Sequence, residues 1–247
     1  MKIMANSKKQ EKSLKMRTLT ELTGKEKYSY AVISFIFVVA LTLVLYLVPD
    51  YYFLEKITKE TVQQVLQLYQ FPVEDGGFYF EHDIDKTLIV ILTRIITSID
   101  RHGGNTPVIR STDLAAYRQF AIVRACTGMQ AGALLLALII VTPADTKKKI
   151  KATIYSLIAL IIGNFLRIAL VIGMTITLQA HYGASSTAAW FWAHDVLGKP
   201  IGFFGTIFFA IIIERQGVPI LNTVSLWIDS FIDLLKNITE KIGKLIK

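Results

Sequence analysis

The sequence predicts a mainly α-helical protein that crosses a membrane several times. Three observations lead to this prediction: 53% of the 247 residues are hydrophobic, the apolar residues are gathered in long runs, and the Lys and Arg residues cluster between those runs. Soluble domains are typically about 45–50% apolar. An α-helix needs about 20 apolar residues to cross roughly 30 Å of hydrocarbon, and several runs reach or approach that length.

Four apolar runs are predicted to be membrane spans. The second is short, so Ala125, Cys126 and Thr127 must extend it. The third contains a charged residue, Arg167, and the fourth is rich in Gly and contains Pro200. A cleaved signal peptide is not expected, because the basic region before the first run is long and no small-residue cleavage site follows that run. The predicted spans cover residues 29–48, 125–143, 152–178 and 195–213.

The positions of the charges predict the orientation in the membrane and explain the net charge of +8. Residues 1–28 carry eight basic and three acidic side chains, the loop 144–151 carries four Lys and one Asp, and the tail 214–247 carries five basic and four acidic side chains. Residues 49–124 carry eight basic and ten acidic side chains. Because cytoplasmic loops are enriched in Lys and Arg, the first three segments should be cytoplasmic, and 49–124 and 179–194 should face outside. The positive charge therefore reflects topology, and nucleic acid is not an expected partner.

The outer segment is predicted to carry short structured elements. Residues 53–70 have the apolar spacing of an amphipathic helix lying on the outer surface. Residues 88–99 are apolar but too short for a span and broken by an arginine, so they predict an interfacial helix. The turn sequence Gly103-Gly104-Asn105 and the β-forming residues after it predict a short β-hairpin over 104–126, directly before Cys126.

The C-terminal tail is predicted to be an amphipathic helix on the cytoplasmic leaflet. Apolar residues recur at helical spacing over 218–247, and several lysines lie on the other face. Such helices lie in the plane of the membrane surface. The predicted organisation is thus a cytoplasmic basic arm (1–28), a membrane catalytic domain (29–213) that includes the outer segment 49–124, and a cytoplasmic tail (214–247).

Residues with complementary chemistry lie at or near neighbouring span ends. Cys126 begins the second predicted span, and His194 directly precedes the fourth. Arg167 lies inside the third, with Asn164 three residues earlier on the same helical face. The predicted topology brings the thiol and the imidazole to the outer side of the membrane. A guanidinium inside a span is costly unless it is paired or hydrated, and it marks a functional site by default.

This combination of side chains suits covalent catalysis by a thiol. A neighbouring cation stabilises the thiolate, and Arg supplies a fixed positive charge because it does not lose its proton. Arg167 can also donate to the oxyanion that forms when sulfur attacks a carbonyl. His194 can accept the thiol proton and pass it to the leaving amine. Arg124, two residues before Cys126, would share its face on a strand and could assist.

Each of these residues also has a simpler interpretation. Cys126 could be a small packing residue, and His194 could be a surface or capping residue. Arg167 could form a buried ion pair, for which Asp195 is the nearer acidic partner in the fourth span. No metal or other cofactor is expected, since the spacing of the remaining candidate ligands matches no strong pattern. Those residues are His82, His102, His181, Asp83 and Asp85.

The motifs resemble those of the exosortase/archaeosortase family over roughly residues 100–213. Residues 125–128, Ala-Cys-Thr-Gly, resemble the family's Ala-Cys-Ser-Gly motif at the start of a span, with Thr127 keeping the hydroxyl of Ser. Residues 164–167, Asn-Phe-Leu-Arg, resemble its Asn-x-x-Arg motif in the next span. His194 resembles the histidine before the following span. The order Cys, Arg, His agrees with the family, and the Ile- and Lys-rich composition favours its archaeal members.

The resemblance implies a membrane cysteine peptidase or transpeptidase that acts at the outer face of the membrane. Its substrates would be secreted proteins with a C-terminal sorting signal, made of a short motif, a hydrophobic helix and a basic cluster. Cys126 would be the nucleophile, Arg167 would stabilise the thiolate or oxyanion, and His194 would be the general acid and base. The new C-terminus would pass to water or to a lipid amine. The supporting residues would be Asn164, Arg124, Thr127 and Gly128.

Two other functions fit the same residues. A thiol-dependent acyltransferase that moves a lipid chain would use the same Cys126 and His194, and an assay of the product separates it from a peptidase. A non-enzymatic membrane scaffold would use Cys126 only for packing. Slow alkylation of Cys126 at neutral pH would favour the scaffold.

Overall fold

The computed structural model describes residues 24–47, 52–79, 106–112 and 119–245. The described residues are mainly helical, and a small antiparallel sheet accompanies the helices. The helices are α1 (Gly24–Leu47), α2 (Tyr52–Leu68), α3 (Met129–Val141), α4 (Thr146–Tyr182), α5 (Ser186–Arg215) and α6 (Ile220–Leu245). The strands are β1 (Val73–Tyr79), β2 (Thr106–Ser111) and β3 (Gln119–Ala121).

Three of the described helices are long and apolar enough to cross a membrane. They are α4, α5 and the Gly24–Leu45 part of α1. Two of them contain the predicted spans 152–178 and 195–213, and the third covers most of 29–48. Many large apolar side chains on these helices are exposed, as expected where lipid rather than water surrounds a helix. The fold is therefore compatible with a membrane protein.

The helix at the second predicted span, α3, is shorter than a span. Its 13 residues extend over about 20 Å at the α-helical rise, against roughly 30 Å of hydrocarbon. Gly128 takes a left-handed conformation directly before it, with φ 75°. The helix ends at Val141, and Pro143 comes two residues later, where proline does not continue a helix. The full span predicted over 125–143 is therefore not confirmed.

The basic loop predicted over 144–151 is mostly helical instead. Helix α4 begins at Thr146, so the lysines of this segment lie in its first two turns. Asp145 precedes the helix and pairs with Lys148, with Nζ 3.6 Å from Oδ2. An acidic residue just before the first turn favours a helix start, because it interacts with the positive end of the helix dipole.

The outer loop predicted over 179–194 is only a short break between α4 and α5. Ser185 caps α5 by accepting a hydrogen bond from the backbone N–H of Ala188 at 3.3 Å, which satisfies one of the free donors at a helix start. Trp190 and Trp192 therefore lie within helix α5. Hydropathy did not indicate this start because small and polar residues follow the cap.

The segment Phe191–Gly198 of α5 is wound in wide π turns. The backbone N–H of Lys199 donates to the carbonyl of His194, five residues earlier. Pro200 follows directly, and its missing N–H removes an ordinary α-helical hydrogen bond at this point. Turns of this kind are rare and occur frequently at functional sites.

The predicted β-hairpin is confirmed, and it belongs to a three-stranded antiparallel sheet with the order β1-β2-β3. Strand β2 pairs with β3, and Ile109 lies opposite Phe120. The register between β1 and β2 shifts between Asp75 and Phe78, where Gly77 has φ 72°. Strand β1 was not predicted, because acidic residues and glycines are uncommon inside strands.

Helices α2 and α6 match the two predicted amphipathic helices. Helix α2 buries Val62 and Leu66, and α6 leaves large apolar residues such as Phe231 and Leu235 exposed along one side. An exposed apolar side on an amphipathic helix is the feature that binds a membrane surface. The interfacial helix predicted over 88–99 lies outside the described residues.

Contacts within the chain divide it into two compact units. The first unit consists of the described residues of Met1–Leu41, Leu134–Tyr155 and Ala210–Lys247, and the second consists of those of Thr42–Ala133 and Ser156–Phe209. Helices α1, α3, α4 and α5 each have one end in each unit.

Hydrogen bonds in the first unit attach α6 to its neighbours. The indole Nε1 of Trp227 donates to Ser34 Oγ on α1 at 2.8 Å. The hydroxyls of Thr142 and Thr223 are 2.9 Å apart and share a buried hydrogen bond. Buried polar groups without partners are costly, so these bonds specify where α6 packs.

The core of the second unit is built from α2, the sheet and α4. Helix α2 contributes Val62 and Leu66, and the sheet contributes Ile109 and Phe120. Helix α4 presents a row of buried residues at helical spacing, namely Ile168, Ala169, Ile172 and Ile176. Cys126 and Trp190 pack against this core from its edge. The core therefore fixes both the turn that carries the thiol and the start of α5.

Candidate active site

The turn that carries Cys126 is held by the β-hairpin. A 3₁₀ turn, Arg124–Thr127, follows β3 closely. The backbone N–H of Ile122 donates to the carbonyl of Pro107 at 2.9 Å, and the N–H of Cys126 donates to the carbonyl of Val123 at 2.7 Å. Since the turn is attached on one side to the sheet and continues on the other into α3, the thiol has a fixed position.

Asn164 connects this turn to Arg167. The side-chain amide of Asn164 is buried and donates from Nδ2 to the backbone carbonyl of Cys126 at 2.5 Å. Its Oδ1 accepts a hydrogen bond from Arg167 Nη2 at 3.2 Å. Asn164 and Arg167 are three residues apart on α4, and residues at that spacing share a face. One amide therefore holds the guanidinium beside the turn that carries Cys126.

The two neighbours of Cys126 in its motif have structural roles. Thr127 is buried, and its Oγ1 accepts a hydrogen bond from the backbone N–H of Met129 at 3.4 Å. Gly128 has φ 75°, a conformation that side chains rarely tolerate. A Cβ at Gly128 would also lie only 3.2 Å from Asn164 Cγ. The motif thus shapes the contact between the turn and Asn164.

Two charges act on the Cys126 thiol in opposite directions. Arg167 places a positive charge near the thiol, and Glu55 places a negative charge near it. Glu55 lies on α2, is 3% exposed, and belongs to a helix that packs against the Cys126 turn. A thiol is ordinarily protonated at neutral pH, so Cys126 could act as a nucleophile only if a base took its proton.

A cavity of about 840 Å³ opens beside Arg167, within the second unit. Two cationic side chains, Arg167 and Lys199, are among its lining residues, and the rest of the lining is mostly apolar and aromatic. No carboxylate is found among the described residues that line it. Cavities of this size with apolar walls and a few polar groups are typical of binding sites for small or extended ligands. The lining includes Gly128, Asn164, Leu160, Phe204 and Phe208.

His194 lies in the wide turns of α5 and is held on two sides. Its ring stacks on Trp190, with centroids 4.7 Å apart and planes 10° apart. Trp190 in turn stacks on Phe120 of β3 at 6.5 Å. The His194 Nδ1 atom is 3.0 Å from Asp195 Oδ1, and Asp195 also binds Lys199 at 2.6 Å.

The structure brings most of the predicted site together. Cys126, Asn164 and Arg167 are joined by hydrogen bonds, and Thr127 and Gly128 support the turn. His194 stacks on Trp190, which packs against the same core. Among the described residues, no hydrogen bond joins His194 to Cys126. The side chain of Arg124 lies outside the described residues, as do His82, Asp83, Asp85 and His102.

Three charged residues near the site were not predicted as site residues. Asp195 was predicted to pair with Arg167 if Arg167 formed an ion pair, but in the structure it binds His194 and Lys199. Its position next to His194 was the available signal. No sequence signal pointed to Lys199, which resembles an ordinary lysine at the end of a span. No signal pointed to Glu55 either, which resembles a polar residue on an amphipathic helix. Comparisons of the chain with protein-family models, with curated proteins and with solved structures found no match.

Proposed function

We propose that this protein is a membrane cysteine peptidase or transpeptidase that processes the C-terminal sorting signals of secreted proteins. The observation that carries the proposal is the bridge made by Asn164, which binds the backbone of Cys126 at 2.5 Å and the guanidinium of Arg167 at 3.2 Å. A structural cysteine does not need a guanidinium fastened beside it. A nucleophilic one is helped by it, because the reaction develops negative charge on sulfur and then on oxygen.

In the proposed reaction, Cys126 Sγ attacks the carbonyl carbon of the scissile peptide bond. His194 takes the thiol proton, and Arg167 stabilises the developing oxyanion. The C–N bond then breaks, and the proton passes from His194 to the leaving amine nitrogen, which leaves a thioester on Cys126. Water or a lipid amine then attacks the thioester and releases Cys126. No cofactor is required for these steps.

The cavity beside Arg167 suits an apolar substrate segment. Its walls are formed by α3, α4 and α5, and aromatic and aliphatic side chains predominate. The hydrophobic part of a sorting signal, or the chain of an acceptor lipid, would bury apolar surface there. The cationic side chains of Arg167 and Lys199 would meet the polar part of such a molecule.

Membership of the exosortase/archaeosortase family belongs to the same proposal, with archaeal members favoured. It rests on the residues at 125–128 and 164–167 and on His194. The hydrogen bond between Asn164 and Cys126 supports this assignment, because it joins the first two motifs at one site. Secreted proteins with a C-terminal motif, hydrophobic helix and basic cluster would be the partners.

The proposed orientation has four spans, both termini in the cytoplasm and the active site at the outer face. The basic segments 144–151 and 214–247 belong to the first unit, whereas the sheet, the Cys126 turn and His194 belong to the second. The basic segments are expected on the cytoplasmic side because cytoplasmic loops are enriched in Lys and Arg. The short α3 would cross only with the help of the turn before it.

A thiol-dependent acyltransferase is the second candidate, favoured by the apolar lining of the cavity. It would transfer a lipid chain through the same Cys126 thioester. The mass of the product separates the two activities, since an acyltransferase adds mass to its acceptor and a peptidase shortens its substrate. A non-enzymatic scaffold would give neither product. Slow alkylation does not identify a scaffold, because a thiol that stays protonated until its base acts is alkylated slowly in an enzyme as well.

The proposal is tested with a secreted reporter that carries a C-terminal sorting signal, expressed in cells lacking the native enzyme. Intact mass should show a shortened reporter with the wild type and none with Cys126→Ala. Cys126→Ser should be nearly as inactive, because a hydroxyl ionises far less readily than a thiol. Arg167→Lys should also fail, since lysine loses the planar fork that binds Asn164 and the oxyanion together. His194→Gln should retain a small residual rate.

Folding of the variants is checked by thermal unfolding in detergent. Wild-type processing by a correctly folded Cys126→Ala variant would exclude the peptidase and the acyltransferase together. A reporter that gains the mass of a lipid chain without losing its C-terminus would favour the acyltransferase.

A further inference from the structure

The ring of His194 has a partner on one face and another at Nδ1. Trp190 covers one face of the ring at a centroid distance of 4.7 Å, and Asp195 binds its Nδ1 atom at 3.0 Å. Both contacts come from α5 itself, within or beside the π turns of Phe191–Gly198. Neighbouring residues on a regular α-helix do not face each other, so a bond between residues 194 and 195 is not an ordinary feature of a helix.

Asp195 is itself fixed by a second partner. Its Oδ1 lies 2.6 Å from Lys199 Nζ, one turn further along α5. The positive charge of Lys199 favours the ionised carboxylate, and an ionised carboxylate can only accept hydrogen bonds. The proton in the His194–Asp195 bond must therefore be on Nδ1 of the imidazole. The Nε2 atom of a neutral His194 then has a free lone pair and can act as a base.

We propose that Asp195 is a positioning residue that fixes the tautomer and ring orientation of His194, and that Lys199 holds Asp195 in place. This inference rests on the proposed function, in which His194 Nε2 takes the proton of Cys126 Sγ and returns it to the leaving amine. Asp195 keeps its negative charge throughout. It stabilises the imidazolium that exists between the two proton transfers, as a carboxylate does in catalytic triads in general.

The first test measures the tautomer directly and does not depend on activity. Protein labelled with ¹⁵N-histidine is purified in detergent, and the His194 signals are assigned by their loss in His194→Gln. At a pH where the ring is neutral, the wild type should carry the proton on Nδ1. Asp195→Asn should move the proton to Nε2, because the new amide can donate to Nδ1. An unchanged tautomer in Asp195→Asn would overturn the proposal.

The second test measures kinetics with a peptide that carries the sorting signal. Asp195→Asn should lower kcat by about 10²- to 10⁴-fold with KM little changed, the loss expected when a catalytic histidine takes the wrong tautomer. Asp195→Glu should recover part of kcat, since it restores a carboxylate acceptor. A purely structural role would instead lower the melting temperature and would not separate kcat from KM.

The matched control is Asp145→Asn. Asp145 also pairs with a lysine one turn along a helix, Lys148 at 3.6 Å, but it belongs to the first unit. The control should process the peptide at the wild-type rate. Wild-type kcat in Asp195→Asn would overturn the proposal and leave the proposed function standing. Absence of processing by the wild type would overturn the proposed function, and the tautomer measurement would still decide whether Asp195 orients His194.

Discussion

Arg167 lies against the backbone of α5 at Gly202. A Cβ at Gly202 would lie 3.2 Å from Arg167 Nη1, which is closer than most side-chain contacts. The guanidinium would have to move by a few tenths of an ångström, and the same group donates to Asn164 Oδ1 at 3.2 Å. The absence of a side chain at Gly202 is therefore part of what positions Arg167.

Gly202→Ala is expected to impair catalysis without weakening the fold. Alanine favours a helix over glycine by about 1 kcal/mol, so the melting temperature should not fall. Displacement of the guanidinium should nevertheless lower kcat by about tenfold or more, because misplacing a catalytic group by a fraction of an ångström is costly. The measurement is kcat with the signal peptide, alongside thermal unfolding in detergent.

Gly24→Ala is the matched control for this change, because a Cβ at Gly24 would meet no atom within 4 Å. It should leave kcat unchanged. Full activity in Gly202→Ala would show that Arg167 does not need its observed position.

At the scale of elements, α2 reaches the sheet through a buried lysine. Lys59 on α2 is 7% exposed, and its Nζ is 2.5 Å from Asp75 Oδ2 on β1. Asp75 also accepts a hydrogen bond from the N–H of Gly77 at 2.8 Å, within the irregular part of β1. Helix α2 packs against the Cys126 turn as well. This ion pair therefore helps to fix the element that brings Glu55 near the thiol.

Asp75→Asn is expected to destabilise the protein by about 1–2 kcal/mol, because it leaves the buried ammonium of Lys59 without its anion. The amide oxygen still accepts from Gly77, so the strand itself should persist. Glu74→Gln is the control: Glu74 pairs with Arg110 at 3.7 Å with both side chains exposed, and such pairs contribute little. Equal melting temperatures for the two variants in detergent would contradict the role of Lys59.

The same pair gives the direction of a pH effect. The hydrogen bond from Lys59 lowers the pKa of Asp75 below its ordinary value, and the N–H of Gly77 lowers it further. A carboxyl whose pKa is lower in the folded state stabilises the fold above its unfolded pKa, which is near 3.9 for Asp. That contribution is lost as the pH falls through the folded pKa, and it should be missing at every pH in Asp75→Asn.

At the scale of the whole molecule, the distribution of charge predicts which parts face the cytoplasm. Cysteines are placed singly at Lys148 and Ser186 in a Cys126→Ala background, so each variant has one thiol. In intact cells, an impermeant maleimide should label the cysteine at position 186 and not the one at 148. After the membrane is permeabilised, both should react. Labelling at position 148 in intact cells would reverse the proposed orientation and move the site to the cytoplasmic side.

The sequence by itself determined the helical class, three long apolar helices, the two amphipathic helices and the hairpin before Cys126. These features depend on the composition and periodicity of contiguous residues, which can be counted along the chain. The sequence also identified Cys126, Asn164 and Arg167 as candidate site residues. A thiol at the end of a predicted span is a reactive group, and a guanidinium inside a predicted span is energetically costly.

Only the tertiary structure decided how these residues meet. Cys126 and Asn164 are 38 positions apart, and their contact depends on the packing of the hairpin, α2 and α4 around one core. The pairing of β1 with β2 and the wide turns that bring Asp195 to His194 depend likewise on neighbours distant in sequence or on a local departure from α-helical geometry. Hydropathy and periodicity do not predict the β1–β2 pairing or the contact between Asp195 and His194. They describe which face of a segment is apolar and not which partner covers it.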